Sequence, residues 1–444
     1  MPTKSSPAPR NTTRYNGKET ANFVTDQASQ IAKLRKRIAR IDRKYSSAAL
    51  TPGPSPDRAA ARSFIEEWAE GAVVENECGS HFQMEKRYAA HARHGSADIG
   101  ALSELPPDLL GILNIDSEVP PSPPERWAFL DTETTGLMGD SGVYAFLIGV
   151  GRITKDGFSV RQFFMREYAE EKSVLTALSG HLENFDTLVT YNGKTYDQPL
   201  LENRYRVRRL EAPFHRLAHV DLLHGSRRIW KLRYDNCKLS FLENRVLGVE
   251  RHGDLAGELI PYVYFEYLRS GEALRLVPIF HHNAIDILSL GCLTAVVPSA
   301  FRAAAPESLE AIGLRRGEEF LGIARWFQAS GEQEKALALL HRAVDLGLPD
   351  SLLFGALWAI GRLEKRAGRH AESIRIVAEL AECKNPYRVN ALAELARHYE
   401  HQERNFDAAL EFARLAAEAD PSETAGKRIA RLKAKISRRA AQNN

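Results

Sequence analysis

Residues 127–136 read WAFLDTETTG, an apolar run that ends in two carboxylates, Asp131 and Glu133, one residue apart. The Pro-rich stretch PPSPPERW, 120–127, breaks the chain just before it, so the run reads as a new strand whose first half is buried. Residues two apart on a strand share a face at about 6.6–7 Å. Asp131 and Glu133 would therefore project together from the polar end of that strand. Two like charges so placed repel unless a cation lies between them, and hard divalent ions such as Mg²⁺ or Mn²⁺ bind through oxygen. Two solvated acids in a loop are the plainer alternative, and the short motif alone does not decide between them.

The surrounding pattern supplies the context. WAFLDTE, YAFLIGVGRI, SVRQFFM and TLVTYNG read as strands, the first three as a consecutive antiparallel set. KSVLTALSGHLENF and YDQPLLENRYRVRR read as helices on either side of the fourth strand. Strands mixed with flanking helices predict a layered α/β domain over 121–303. Ahead of it, 1–59 is read as a disordered polar tail plus a basic amphipathic helix in QIAKLRKRIARIDRKY, suited to a nucleic acid, to a partner, or to lying solvated on the protein. Residues 60–120 form a small extension with a short antiparallel pair turning near Gly79 and a small helix.

Beyond about residue 315 the strand signals stop and Ala/Leu-rich helical pattern runs to 440. Three segments superpose at a period of about 36 residues, close to a tetratricopeptide repeat of 34. Gly331 and Gly368 stand at the first two inter-helix turns, with Arg404 in the third; Ala336, Ser373 and Ala409 recur in each second helix. Pro349, Pro386 and Pro421 punctuate the ends, and GKRIARLKAKISRR reads as a capping helix. This part resembles a three-repeat tetratricopeptide array over 317–421, which implies a protein partner or packing against the neighbouring domain.

Composition narrows the class. With 44% hydrophobic and 26% charged residues the 444-residue chain is not globally disordered, and a formal charge of +3 names no partner. Cys78, Cys237, Cys292 and Cys383 make no CxxC pair, which argues against structural zinc and for a reducing compartment. No uninterrupted apolar stretch approaches the ~20 residues of a membrane span, so a cytoplasmic protein with no membrane partner is expected.

Further acids follow the first two in a definite order. Asp197 opens a helix after a strand that ends near Asn192, and PIFHHNAIDILSLGCL places His281 and His282 before Asp286. His282 and Asp286, four apart, share a helix face; His281, five before, would have to sit in a preceding loop. An Asp opening a helix is more simply a cap, and a surface His pair near an Asp is unremarkable. Asp-x-Glu on a strand, Asp after a second strand, and His with Asp on a third element together resemble the DEDD superfamily of ribonuclease H-like 3′–5′ exonucleases, over about 127–295. YNGKTYDQPLLENR is similar to the second exonuclease motif of family B DNA polymerases. With the attached repeats, and with VDLLHGSRRIWKL, LSFLENRVLGVERHGDLAG and IPYVYFEYLRSG, the chain looks most like the bacterial YprB family of ribonuclease H-like proteins.

That resemblance implies an α/β ribonuclease H-like domain, a mixed central sheet flanked by helices, followed by an all-α tetratricopeptide-like domain. It implies a metal set of Asp131, Glu133, Asp197 and Asp286 for two Mg²⁺ or Mn²⁺ ions. Asp131 would bridge both ions, Glu133 and Asp286 would hold the ion that activates water, and Asp197 would act mainly through the second. The polymerase branch carries a Tyr four before the last Asp, where His282 stands; another branch carries a His five before, where His281 stands. His282 is favoured as general base and His281 kept as alternate. Thr134, Thr135 and Gly136 could donate to the terminal nucleotide, with Leu137 as a wedge against a base, or simply form a turn. Asn192, with Arg227 and Arg228 in GSRRIWKLR, joins the substrate-facing set, and RYRVRR adds cations for phosphate. Trp230 could stack on a base but suits the core better. The activity implied is 3′–5′ exonucleolysis of DNA or RNA; a structure-selective endonuclease of the same fold and a nucleic-acid-binding scaffold without turnover are the alternatives.

Overall fold

The computed structural model describes residues 64–113, 119–136, 142–251, 253–303, 305–421 and 423–443. The basic helix expected within 30–45 and the proposed wedge Leu137 lie outside the described residues. Strands β1 (Gly71–Asn76), β2 (Gly79–Ala89), β5 (Trp127–Thr134), β6 (Ala145–Thr154), β7 (Gly157–Phe164), β8 (Thr187–Thr190) and β9 (Ala218–Asp221) form one mixed sheet in the order β1-β2-β7-β6-β5-β8-β9. A separate two-residue ribbon joins β3 (Arg93–His94) to β4 (Ala97–Asp98). Strands β5, β6 and β7 run antiparallel in sequence, while β5, β8 and β9 are parallel. The hairpin β1–β2 comes from the segment read as a separate extension, yet β2 pairs with β7 from Phe82↔Phe164 to Ala89↔Gly157 and so lengthens the same sheet.

Among the described residues, helices α1 (Glu171–Leu182), α2 (Asp197–Val207), α3 (Leu222–Trp230), α4 (Leu239–Leu242), α5 (Ile260–Ser270) and α6 (Val277–Arg302) accompany the sheet. Strand β5 is central, so its residues 127–130 are buried on both faces and read as an unbroken apolar run; burial lessens from Asp131 onward, where the strand clears its cover. One face packs Phe129, Phe158 and Trp230 against Ile287 and Phe301 of α6. The other packs Leu130, Phe146 and Phe164 against Leu178, Tyr205 and Tyr264. Helix α6 lies close on its face because β6 carries Gly149 and Gly151. A Cβ at Gly149 would stand 2.2 Å from Asn283 Oδ1 and 2.3 Å from Ile287 Cδ1. Gly149→Ala is expected to cost about 1–3 kcal/mol in urea unfolding. Gly180→Ala, at an exposed position with nothing within 4 Å of the new methyl, is expected to be neutral or stabilising.

The segment Ala273–Arg302, which contains α6, is long and apolar enough to cross a membrane by length and composition, but 72% of its most apolar window is buried within the protein. It is the core helix of the domain. Cys237 and Cys292 are buried, Cys78 is half-buried and Cys383 is exposed; all four are free thiols.

After α7 (Pro306–Ala311) come three helix pairs: α8 (Gly317–Ala329) with α9 (Gln333–Asp345), α10 (Asp350–Arg366) with α11 (His370–Glu382), and α12 (Arg388–His401) with α13 (Phe406–Ala419). Helix α14 (Glu423–Asn443) follows. The recurrent Ala336, Ser373 and Ala409 are all buried, as small residues at a close helix crossing should be. Gly331 and Gly368 take left-handed backbone, φ +85° and +77°, and Arg404 takes the same conformation at φ 52°, so the turn geometry persists without glycine. These helices are not a detached module. Phe320, Leu337 and Ile360 continue the core that contains Phe129 and α6, and a Cβ on Gly322 would meet the Arg228 carbonyl at 2.1 Å. Arg233 Nη1 adds a 2.6 Å ion pair to Glu319 of α8.

Helix α1 carries a titrating group with a calculable consequence. His181 lies against Phe163 and Phe185, and its Nδ1 accepts from Arg161 at 3.3 Å. Burial, with Arg161 and Arg152 beside it, lowers its pKa to about 4. The unfolded chain takes up that proton near pH 6.5, so stability contributed above pH 6.5 is lost as pH falls towards 4. His181→Gln removes this loss. Its unfolding free energy should fall less than that of the parent between pH 7 and pH 4, by about 3 kcal/mol at most, in urea titrations at each pH.

Candidate active site

The parallel strands β5, β8 and β9 end at one edge of the sheet, and the acidic residues gather there. Asp131 and Glu133 leave the end of β5, where the pairing with β6 shifts register between Glu133 and Thr134. Such irregularities re-aim side chains at strand ends. Asp131 Oδ2 accepts 2.9 Å from Asn283 Nδ2 of α6. The Asn283 amide is itself fixed, because Gln162 Nε2 donates to its Oδ1 at 2.8 Å and to the Phe280 carbonyl at 2.9 Å. Both amides are fully buried, so the donor that faces Asp131 cannot turn away freely.

Asp197 sits on the first turn of α2 and accepts 2.5 Å from Thr132 Oγ1, the residue between the two β5 acids. The loop before it is tied down from β9. Asp221 accepts from the backbone N–H groups of Asn192 (2.8 Å), Lys194 (3.2 Å) and Leu223 (3.0 Å). Asn192 adopts left-handed backbone, φ 68°, and its carbonyl accepts from Thr195 and Tyr196. Its structural part is therefore to shape the loop that presents Asp197.

Asp286 lies on α6. The helix begins at Val277 with Pro278 in its first turn, so the histidines are both helical and the loop position expected for His281 is corrected. His281 is exposed, with Lys86 Nζ 3.3 Å from its Nδ1. His282 is half-buried, its Nε2 3.6 Å from Asp286 Oδ2 and its Nδ1 2.9 Å from Asp254.

The electrostatics join these residues into one cluster. Burial first, and then the charges of Asp286, Glu133 and Asp197, raise the proton affinity of Asp131 well above that of an ordinary carboxyl. Burial, Asp286, Asp197 and Asp254 do the same for Glu133. Asp197 is raised to about 6, chiefly by burial and against its hydrogen bond from Thr132. Asp286 is raised by burial although Arg251 and His282 oppose the shift. Acids contributed by β5, α2 and α6 thus lie within one another's field at the sheet edge.

A model of the RNase H superfamily matches residues 128–297, the segment that holds the sheet centre and all four acids. The chain is also 32% identical over 317 residues to the uncharacterized protein YprB of Bacillus subtilis (strain 168), covering 70% of this chain and 75% of that protein. The chain belongs to the YprB family. A ribonuclease H-like domain in a YprB-family protein implies nucleic-acid binding and suggests a nuclease.

The ribonuclease H-like fold generally uses divalent metals, and the donor chemistry of this YprB-family site fits them: four carboxylates, all oxygen, mutually repelling. Among the described residues no three His, Cys, Asp or Glu side chains converge as they stand into a ready cage. One reason is on Asp286, whose Oδ1 accepts from Arg251 Nη2. The same guanidinium donates to Glu243 through Nε at 2.7 Å and Nη2 at 2.5 Å, and to Asp254 through Nη1 at 3.1 Å. Glu243 is buried, accepts also from Ser289 Oγ, and Ser289 is paired with His94 Nε2 at 2.7 Å. Arg251, Asp254, Glu243 and Asn283 were not singled out by sequence reasoning. The first three lie in ENRVLGVERHGDLAG, residues 243–257, a stretch without period that carried the family likeness but nothing that marked these side chains for the site.

Several expected substrate contacts of the YprB-family chain are otherwise engaged. Thr134 Oγ1 donates to the Gly136 carbonyl at 2.8 Å, whereas Thr135 Oγ1 accepts from Tyr144 N at 2.9 Å and keeps its own O–H to donate. Trp230 is 1% exposed and belongs to the core, which rules out stacking on a base. In RYRVRR, Arg204 is buried against Glu171 at 2.5 Å, Arg208 shares that carboxylate, and phosphate positioning by this pair is corrected to a structural role. Arg227 and Arg228 are exposed on α3.

Proposed function

We propose that this chain is a two-metal-ion 3′–5′ exonuclease that hydrolyses phosphodiester bonds of DNA or RNA. The observation that carries the reading is the gathering of Asp131, Glu133, Asp197 and Asp286 at one end of the sheet, close enough that the charges of Asp286 and Asp197 oppose ionisation of both Asp131 and Glu133. Two Mg²⁺ or Mn²⁺ ions held by these four carboxylates would supply an activated water and charge stabilisation for the leaving 3′ oxygen. Asn283 and Thr132 orient Asp131 and Asp197 for that task. His282 is the general base: Asp254 accepts its Nδ1–H, which leaves Nε2, on the Asp286 side, as the site that takes a proton. His281, exposed and one helical position away, is the alternate. Arg227 and Arg228 contact phosphate without reading sequence. The three helix pairs, with buried small residues at a common place, support a tetratricopeptide-like reading in which their solvent face takes a protein partner.

The test uses 5′-labelled single- and double-stranded DNA and RNA with Mn²⁺ or with EDTA. A ladder that shortens from the 3′ end only with Mn²⁺ supports the proposal. Internal cuts support an endonuclease, and a mobility shift of intact strands supports a scaffold without turnover.

A further inference from the structure

Arg251 reaches the acidic edge from a loop that follows an unusual turn. The chain leaves α4 through a π-helical segment, Glu243–Leu247, and reverses at Gly248 with left-handed φ 69°. Arg251 then folds back onto the start of that segment. Its guanidinium spans three carboxylates, Glu243, Asp254 and Asp286, and stands 3.4 Å from His282 Nδ1. Two of the three partners hold it in place: Glu243 takes two parallel donors from a buried position, and Asp254 takes a third. The contact with Asp286 is different in kind, because that oxygen belongs to the acid cluster.

We propose that Arg251 is the built-in counter-cation of this site, occupying Asp286 in the ion-free protein and competing with a divalent cation for it. The inference rests on the proposed metal-dependent function. A guanidinium is not deprotonated in proteins, so only a competing cation or anion relieves the contact. Its planar fork is held by Glu243 whether or not Asp286 is engaged, so release of Asp286 leaves Arg251 near its present place. Arg251 therefore sets metal affinity below what the carboxylates alone would give, and keeps their repulsion from opening the sheet edge before an ion arrives.

The probe is Mn²⁺ alone, titrated into the full chain and read from the electron paramagnetic resonance signal of free Mn²⁺, with thermal unfolding in EDTA and in Mn²⁺ as the second readout. The double variant Arg251→Met with Glu243→Gln removes the cation without stranding a buried carboxylate. It is expected to bind Mn²⁺ about tenfold more tightly, the worth of one charge-assisted hydrogen bond. Its unfolding midpoint should rise more on Mn²⁺ addition than that of the parent. Arg251→Lys, whose compact ammonium cannot span Glu243 and Asp286 together, should give a smaller change of the same sign, and decides the matter if the double variant does not fold. Equal or weaker Mn²⁺ binding by the variants, with normal binding by the parent, overturns the inference. Absence of Mn²⁺ binding in the parent overturns the metal-dependent function itself, and this inference with it.

Discussion

Asp131→Asn is expected to abolish metal-dependent strand cleavage, by about 10³-fold or more, while raising the thermal stability of the ion-free protein. The two effects have one cause. Asp131 is the acid whose ionisation is opposed by burial and by three neighbouring carboxylates, so the ion-free fold disfavours the charged form that a bound cation needs. Asparagine keeps the shape and still accepts from Asn283 Nδ2, but removes the charge that an ion needs and that the empty cluster resists. Melting in EDTA should rise by roughly a few degrees. Asp286→Asn should abolish cleavage equally but bring no such gain, because it takes a partner from Arg251. Loss of activity without the difference in melting would mean that the acids are not electrostatically joined as described.

His282→Ala is expected to lower turnover by about 10²–10⁴-fold and leave a measurable residue, whereas His281→Ala should stay within about twofold of the parent. The contrast follows from position. His282 is half-buried, with one ring nitrogen tied to Asp254 and the other facing Asp286; His281 is exposed and near Lys86. Steady-state rates on a short labelled strand separate the two. Asp254→Asn is expected to fall between them, since it weakens the bond that sets the imidazole tautomer without removing the ring. The reverse order for the histidines would move the base to His281.

Much of this was legible in the sequence because apolar periodicity is local. The central strand declared itself through WAFLDTE, and the antiparallel set and the flanking helices followed from alternation and turn residues. The repeat spacing picked out Ala336, Ser373 and Ala409 at a common place in each second helix, and all three are buried. The loop position expected for His281 failed because Pro278, a residue that favours the first helical turn, already opens α6 ahead of both histidines. Arg251 was out of reach for a different reason. Its partners Glu243, Asp254 and Asp286 lie on different elements, the farthest of them 35 residues from Arg251 along the chain, and are joined by a non-repeating turn that no periodicity encodes. Arg204 misled because a cluster of arginines looks alike whether it faces phosphate or a buried Glu171.

A crystal of the full chain soaked in Mn²⁺ and measured at the manganese absorption edge tests the central claim most directly. The account predicts anomalous peaks among Asp131, Glu133, Asp197 and Asp286, with the Asp286–Arg251 contact broken and Arg251 still held by Glu243. Saturating Mn²⁺ with no peak at those four carboxylates, or with peaks only elsewhere on the molecule, would contradict it.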